Sequence, residues 1–346
     1  MRFFAATLLA LLLAACGQPA PVTQESYVFG TRVEVLVWGA RGVAAQNATD
    51  EVLREFDRLH RSYHAWQPSE LTALNEAIAA GRPHAVSAEL AELIITAQAL
   101  TVQSEHLFDP GIGRLVALWG FHGDEFKPAL PDAVALATLV AAKPSITDLT
   151  LEGNRVSSKN RAVALDFGGY LKGVALDRAA AILKTRGIQN ALINIGGNVL
   201  ALGKKGDKPW RVGIQHPRSA EAGGAPLATL ELHDGEAIGT SGDYQRYFEV
   251  AGRRYSHLID PRTGVPAVGT QALTVLIPPA AAAAGLYSDV LSKPLFVAGD
   301  DWPRLARNLS ANQVLRVDAT GKIAVTAALR PRLAFEPTDL PVSIVP

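Results

Sequence analysis

Cysteine is almost missing from this 346-residue chain, with Cys16 the single one. A lone thiol excludes an internal disulfide. Neither sign of charge is in excess, since 33 Lys and Arg face 33 Asp and Glu. No polybasic run offers itself to nucleic acid, so a ligand must be held by local chemistry rather than by a global field. Aromatic residues make up only 7% of the chain, while the alanine-rich runs 133–142 and 280–284 suit helices packed closely on a sheet. Beyond the first residues, no stretch is long and apolar enough to span a membrane. Familiar catalytic signatures are missing too. There is no GxGxxG, no GxxxxGK followed by Ser or Thr, no HExxH, no GxSxG, and no serine three residues before a lysine.

The N-terminus carries the first positive signal. Met1-Arg2 precedes an apolar run from Phe3 to Leu13, then Ala14-Ala15-Cys16-Gly17. Residues 1–15 read as a signal peptide whose apolar region is too short for a mature membrane helix. Cys16 after Leu-Ala-Ala resembles a lipobox, in which the cysteine becomes the lipidated N-terminus. An ordinary signal peptide that happens to contain a cysteine is the alternative. Export follows on either reading. With lipidation, the chain is anchored at Cys16 on the periplasmic side of a bacterial membrane. Residues 16–25 read as a tether, and residues 26–346, enough for a sizeable core, as the folded domain.

Within that domain, residues 26–38 alternate as one strand, and 47–63 form an amphipathic helix with Thr49-Asp50 offered as its cap. Helices are expected at 87–104 and from Pro131-Asp132 to about 143. Another opens at Gly168-Gly169 and closes at Gly187, and one spans 280–298. Strands are expected at 146–152, 155–165, 191–201, 210–216, 227–232 and 271–277, with a hairpin at 314–325 around Gly321. Many antiparallel hairpins beside separate helices, with few clean βαβ units, place the chain in the α+β class: mixed, largely antiparallel sheets with packed helices.

Several blocks carry chemistry. In AIGTSGDYQRYFEVAGRRYSHLIDPRTGVPA, residues 237–267, two strands join at Ala251-Gly252. Thr240, Ser241 and glycines precede them, and His257 and Asp260-Pro261-Arg262-Thr263-Gly264 follow. Small residues let a backbone approach a ligand, and hydroxyls with N–H groups favour an anion. A hairpin with well-made turns explains the same residues. In LDFGGYLKGVALD, residues 165–177, a strand ends in Asp166, glycines allow close approach, and Lys172 lies in the first helical turn, an arrangement suited to phosphate. A strand-to-helix turn with a snorkelling lysine is the plain alternative. Gly196-Gly197 sits at a strand end, where a bulge or a close neighbour would need it. Asp289 lies in an otherwise apolar helix and is costly unless paired or on a metal; an i, i+4 pair with Lys293 serves equally on spacing. His60 and His64 stand one turn apart without a nearby acid, which fits a surface helix better than a metal pair.

Together these blocks resemble the ApbE family, the FAD:protein FMN transferases. The resemblance rests on DFGGYLKGVALD, NALINIGGNVLALG, TSGDYQRYF with YSHLIDPRTG, and SDVLSKPLFVAG. FGTRVEV, WQPSELTALN and FDPGIGRLVALWGF support it more weakly, so that it spans about residues 28–300. It implies transfer of FMN from FAD, with Mg²⁺, onto a threonine or serine hydroxyl of a membrane-associated redox flavoprotein, releasing AMP. Hydrolysis of FAD to FMN and AMP, or FAD binding without catalysis, remain alternatives. The resemblance places Asp166 and Lys172 at FAD. Phe29, Leu107, Phe108 and Asp109 border the flavin; Thr240 and Ser241 line the same cleft; Trp66 and Thr263 join them. It places the Gly169 carbonyl and the Asp289 carboxylate on the metal, and His257 as the group that takes the hydroxyl proton, with Asp260 orienting it or capping its own turn. Three departures stand out. The family's threonine four residues after the metal-binding aspartate is Lys293 here, so either a ligand is lost or Lys293 takes part of the metal's electrostatic role. FDPGIG lacks a hydroxyl at Gly111. Trp66 is the nearest aromatic to where a tyrosine is usual.

Overall fold

A computed structural model describes residues 21–123, 128–219, 224–279 and 283–346. The leader, Cys16 and the start of the tether lie outside the described residues. Residues 22–25, expected in the tether, already belong to the sheet.

The frame is a nine-stranded sheet whose spatial order follows the chain. Its strands are β1 Val22–Val28, β2 Thr31–Val37, β3 Ala191–Ile195, β4 Asn198–Leu202, β5 Ala237–Gly242, β6 Thr270–Ile277, β7 Val314–Asp318, β8 Ile323–Thr326 and β9 Val342–Val345. All neighbours pair antiparallel except β8 with β9. Among the described residues there are eight α-helices: α1 Gly42–Ser62, α2 Glu70–Ala80, α3 Ala88–Gln103, α4 Gly113–Leu118, α5 Ala133–Ala142, α6 Leu171–Thr185, α7 Ala284–Val297 and α8 Trp302–Asn308. The α+β class holds.

The period-2 pattern of the strands sorts the core. Val33, Val35, Val37, Ile193 and Ile195 face helices α1 and α6, whereas Leu36, Leu192, Val199 and Ala201 face a second sheet of 210–214, 228–232 and 333–335. Every residue of β4 is buried, since both faces are covered. Helix α7 is buried nearly all round, which explains its apolar sequence.

Several expected boundaries change. Residues 26–38 are not one strand but a hairpin turning at Phe29-Gly30, whose positive φ values of 57° and 68° are those of a tight two-residue turn. Residues 191–201 divide likewise at Gly196-Gly197, so that glycine pair makes a turn and not a bulge. Thr49-Asp50 does not cap α1, which begins seven residues before Thr49, at Gly42; the Thr49 hydroxyl instead bonds back to the Ala45 carbonyl. Gly239 to Gly242, expected to precede a hairpin, lie inside central strand β5. The hairpin itself, 247–250 with 253–256, is a separate pair stacked on Trp119 and Phe121. Ser87 and Asp132 cap α3 and α5 as their sequences suggest.

Helices α6 and α7 are locked by exchanged caps. Asp177 of α6 accepts the N–H groups of Gly285 and Leu286 at the start of α7, both at 2.8 Å. Asp289 of α7 accepts the Gly173 N–H in the first turn of α6, at 2.9 Å. Neither helix has a side-chain cap from its own N-cap residue, so each carboxylate satisfies orphan donors of the other. The crossing is close: a Cβ on Gly173 would lie 2.7 Å from the Gly285 carbonyl oxygen. Removing one exchanged cap is expected to cost about 1–2 kcal/mol. Urea denaturation of Asp177→Ala should show that loss as a lower midpoint at unchanged slope; a midpoint equal to wild type would mean that the α6–α7 contact holds without it.

Candidate active site

The two hairpin turns Phe29-Gly30 and Gly196-Gly197 lie side by side, because Val33 pairs with Ile195. A side chain on Gly196 would strike Thr31, so the glycine lets the turns touch. With the N-terminal end of α6, the end of β5 and the middle of α7, they wall a cleft of about 600 Å³. That volume suits a bound organic ligand.

Phe29 sits on that wall in left-handed backbone, a conformation costing about 1 kcal/mol or more for a residue of its size. Its ring packs on Phe56 and His60. Leu107 and Phe108 line the cleft from the loop before α4, and Trp66 stands exposed at the mouth against His64. Asp109 lines the cleft as well, but its carboxylate organises the loop: Oδ1 accepts from the N–H groups of Gly111 and Ile146 at 2.8 and 2.9 Å. The missing hydroxyl at Gly111 has a steric reason, since a Cβ there would lie 2.3 Å from the Ile146 nitrogen.

Thr240 and Ser241 line the cleft from β5. The Thr240 hydroxyl bonds Thr274, and that of Ser241 bonds Ser292 of α7, both at 2.8 Å. Asp166 accepts the Gly168 N–H, and burial raises its carboxyl above the usual carboxylate range. Lys172 donates to the Gly168 carbonyl at 3.0 Å.

Thr263 is not on the cleft wall. Its exposed hydroxyl accepts from the Val265 N–H at 3.4 Å, inside its own turn. Asp260 does not orient His257 either, because it is spent on the same turn, accepting the Arg262 N–H and the Arg262 guanidinium. The Trp119 indole holds that turn from outside by donating to the Gly264 carbonyl at 2.7 Å. His257 is oriented by the Arg246 carbonyl, 3.2 Å from Nδ1. A carbonyl only accepts, so Nδ1 carries the proton and Nε2 the lone pair. Burial first, and then the Arg246 charge, lower the His257 imidazole to about 3, with Lys172 and Lys293 adding to the effect.

The fully buried Asp289 draws several donors together. Its Oδ1 accepts from Asn198 Nδ2 at 2.8 Å and Lys293 Nζ at 2.6 Å, with Lys172 Nζ at 3.8 Å; Oδ2 accepts from Gly173. Burial pushes the carboxyl up, but Lys172 and Lys293 more than offset it and keep it ionised. Burial lowers Lys293 to about 8, with Asp289 opposing that change. Asn198, which also accepts from the Thr240 N–H, and Arg246 are site residues that sequence reasoning did not single out. Both lie within the motif blocks, but only the packing shows which way they face.

The expected Mg²⁺ site does not fit these residues. Mg²⁺ needs oxygen ligands at about 2.0–2.1 Å. Both Asp289 oxygens already accept N–H donors, two of them on Oδ1, and the Lys293 stem lies against the bare face of Gly169, the other expected ligand. An ammonium at hydrogen-bond distance from Asp289 repels a dication at the same oxygen. Among the described residues, no group of three or more His, Cys, Asp or Glu side chains stands together as a metal site elsewhere.

Comparison with known proteins agrees with this architecture. A relative from Rhodobacter capsulatus named FAD:protein FMN transferase is 42% identical over 94% of this chain. This chain spans 61% of that protein's length. A Klebsiella pneumoniae relative of the same name is 31% identical, with 92% of each chain covered. Among solved structures, the ApbE protein of Thermotoga maritima superposes with a TM-score of 0.80 at 28% identity, covering 90% of this chain and 99% of that one. The flavin transferase ApbE of Vibrio cholerae superposes with a TM-score of 0.76 at 29% identity, covering 91% and 100%. The model of the ApbE family matches residues 29–315, and the chain belongs to that family.

Proposed function

We propose that this protein transfers FMN from FAD to a threonine or serine hydroxyl of a partner protein, releasing AMP. The observation that carries this reading is the convergence of a neutral, oriented imidazole with three cations in one cleft. His257 stands within the electrostatic reach of Arg246, Lys172 and Lys293. The name FAD:protein FMN transferase, borne by the relatives, supports the same activity.

The cations draw the pyrophosphate of FAD into the cleft and neutralise its charge, the main task in phosphoryl transfer. The acceptor hydroxyl oxygen attacks the phosphorus on the FMN side. A new P–O bond forms to the acceptor, the bond to the AMP phosphate breaks, and AMP leaves with the bridging oxygen. His257 Nε2 takes the hydroxyl proton. Phe29, Leu107 and Phe108 offer the apolar wall that a flavin ring needs. The acceptor is a membrane-associated redox protein, and the enzyme meets it from a lipid anchor at Cys16 on the periplasmic side. The lipobox-like sequence before Cys16 supports that placement. The N-terminal peptide of the mature protein should then begin at Cys16 and carry the mass of a diacylglyceryl thioether; an unmodified cysteine there sinks the anchor.

Incubation with FAD and an acceptor peptide, followed by mass spectrometry, should show the peptide gaining one FMN. Free FMN and AMP without peptide gain would mean hydrolysis, and unchanged, tightly held FAD would mean binding only. His257→Ala should slow transfer about 10²–10⁴-fold; undiminished transfer would remove the general-base role.

The lowered pKa of His257 fixes the sign of its pH dependence. In the free protein the imidazole stays neutral as pH falls from 8 to 5, and protonates only towards about 3. Its ¹³C resonance should therefore not titrate between pH 7.5 and 5. Adding FAD brings negative charge beside it and should raise its midpoint. A midpoint near 6.5 in the free protein would show that burial and the neighbouring cations do not act on it.

A further inference from the structure

Lys293 is placed unlike an ordinary helix lysine. It projects from a helix buried almost all round and lines the cleft with only 15% of its side chain exposed. Two of its three N–H donors are fixed by residue Asp289, one on the backbone carbonyl at 2.7 Å and one on Oδ1 at 2.6 Å. Gly169 makes room for the stem, since a Cβ there would lie 2.8 Å from Lys293 Cε. Asn198 and Gly173 hold the carboxylate from its other sides. The result is a cation seated on a prepared oxygen cradle, with one donor left on a cleft wall.

We propose that the Lys293 ammonium is the resident cation of this cleft: it contacts the pyrophosphate of the dinucleotide directly, in the place a divalent metal would take, so that FMN transfer proceeds without Mg²⁺. The proposal rests on the FAD reading of the cleft. A point charge on a flexible stem suits this task, because it can neutralise phosphate oxygens without a fixed coordination shell. Lys172, 3.8 Å from the same carboxylate oxygen, supplies the second charge. Asp289 then serves as the anchor of an ammonium and not as a metal ligand.

The test combines metal binding, FAD binding and turnover. Manganese titration of FAD-loaded wild type, read by electron paramagnetic resonance, should show no stoichiometric site at micromolar metal. Lys293→Thr, checked for folding by thermal melt, should gain one. Manganese bound one-to-one by wild type overturns the proposal. So does its absence from both proteins, because Lys293 would then not be what holds the metal's place. Lys293→Met keeps the stem without the charge and should weaken FAD binding at least tenfold, read from flavin fluorescence; an unchanged Kd overturns direct contact. Wild-type transfer should be the same within twofold in EDTA and in millimolar Mg²⁺, whereas loss of transfer in EDTA overturns the metal-free reaction. Absence of transfer under every condition counts against the proposed activity alone, and the manganese and FAD measurements still decide the role of Lys293.

Discussion

The exchange of caps between α6 and α7 holds the molecule's centre together. Asp177 closes the first turn of α7 and Asp289 closes that of α6, across a crossing that only Gly173 and Gly285 allow. Helix N-termini carry unsatisfied donors and partial positive charge, so a buried carboxylate at each answers a need the helix cannot meet alone. Because α7 also lies directly on β5, where Gly239 has no room for a side chain against the Ser288 carbonyl, the pair is tied to the sheet. The position of Asp289, and hence of everything bonded to it, follows from that packing.

The same carboxylate links the helix packing to the cleft. A buried Asp would be costly without partners, yet here it accepts from a backbone N–H, an amide and an ammonium. These partners set Lys293 on the cleft wall and bring Lys172 near. The chain as a whole carries no net charge, but the cleft collects Arg246, Lys172 and Lys293 near His257. Local arrangement alone gathers positive charge into one cleft of a neutral protein. Burial first, and then these same cations, hold the His257 imidazole well below its ordinary range.

Legibility varied with the range of the interaction. The helices capped by Ser87 and Asp132, the buried strand at 270–277 and the hairpin turning at Ala251-Gly252 are local events, written in period and turn chemistry. The turns at Phe29-Gly30 and Gly196-Gly197 were hidden inside apparently continuous alternation, because two strands joined by two residues keep the same period. Thr263 and Asp260 were drawn towards the site by their neighbourhood to His257, yet both serve the turn that Trp119 holds from 145 residues away. Arg246 was overlooked because its part, giving His257 a carbonyl and the cleft a charge, depends on how the hairpin folds back.

By itself the sequence determined the α+β class, most element positions, and the blocks that carry chemistry. These are properties of spacing and residue type along a short stretch of chain. Tertiary structure alone decided which side chains answer one another. Asp289 meets Gly173 across 116 residues and Asn198 across 91, and no local pattern encodes such a pairing. Lys293 is four residues from Asp289, so the pair itself was visible on spacing. That its ammonium is seated on a prepared cradle at the cleft wall, where a metal was expected, follows only from the packing of α7 against α6 and the sheet.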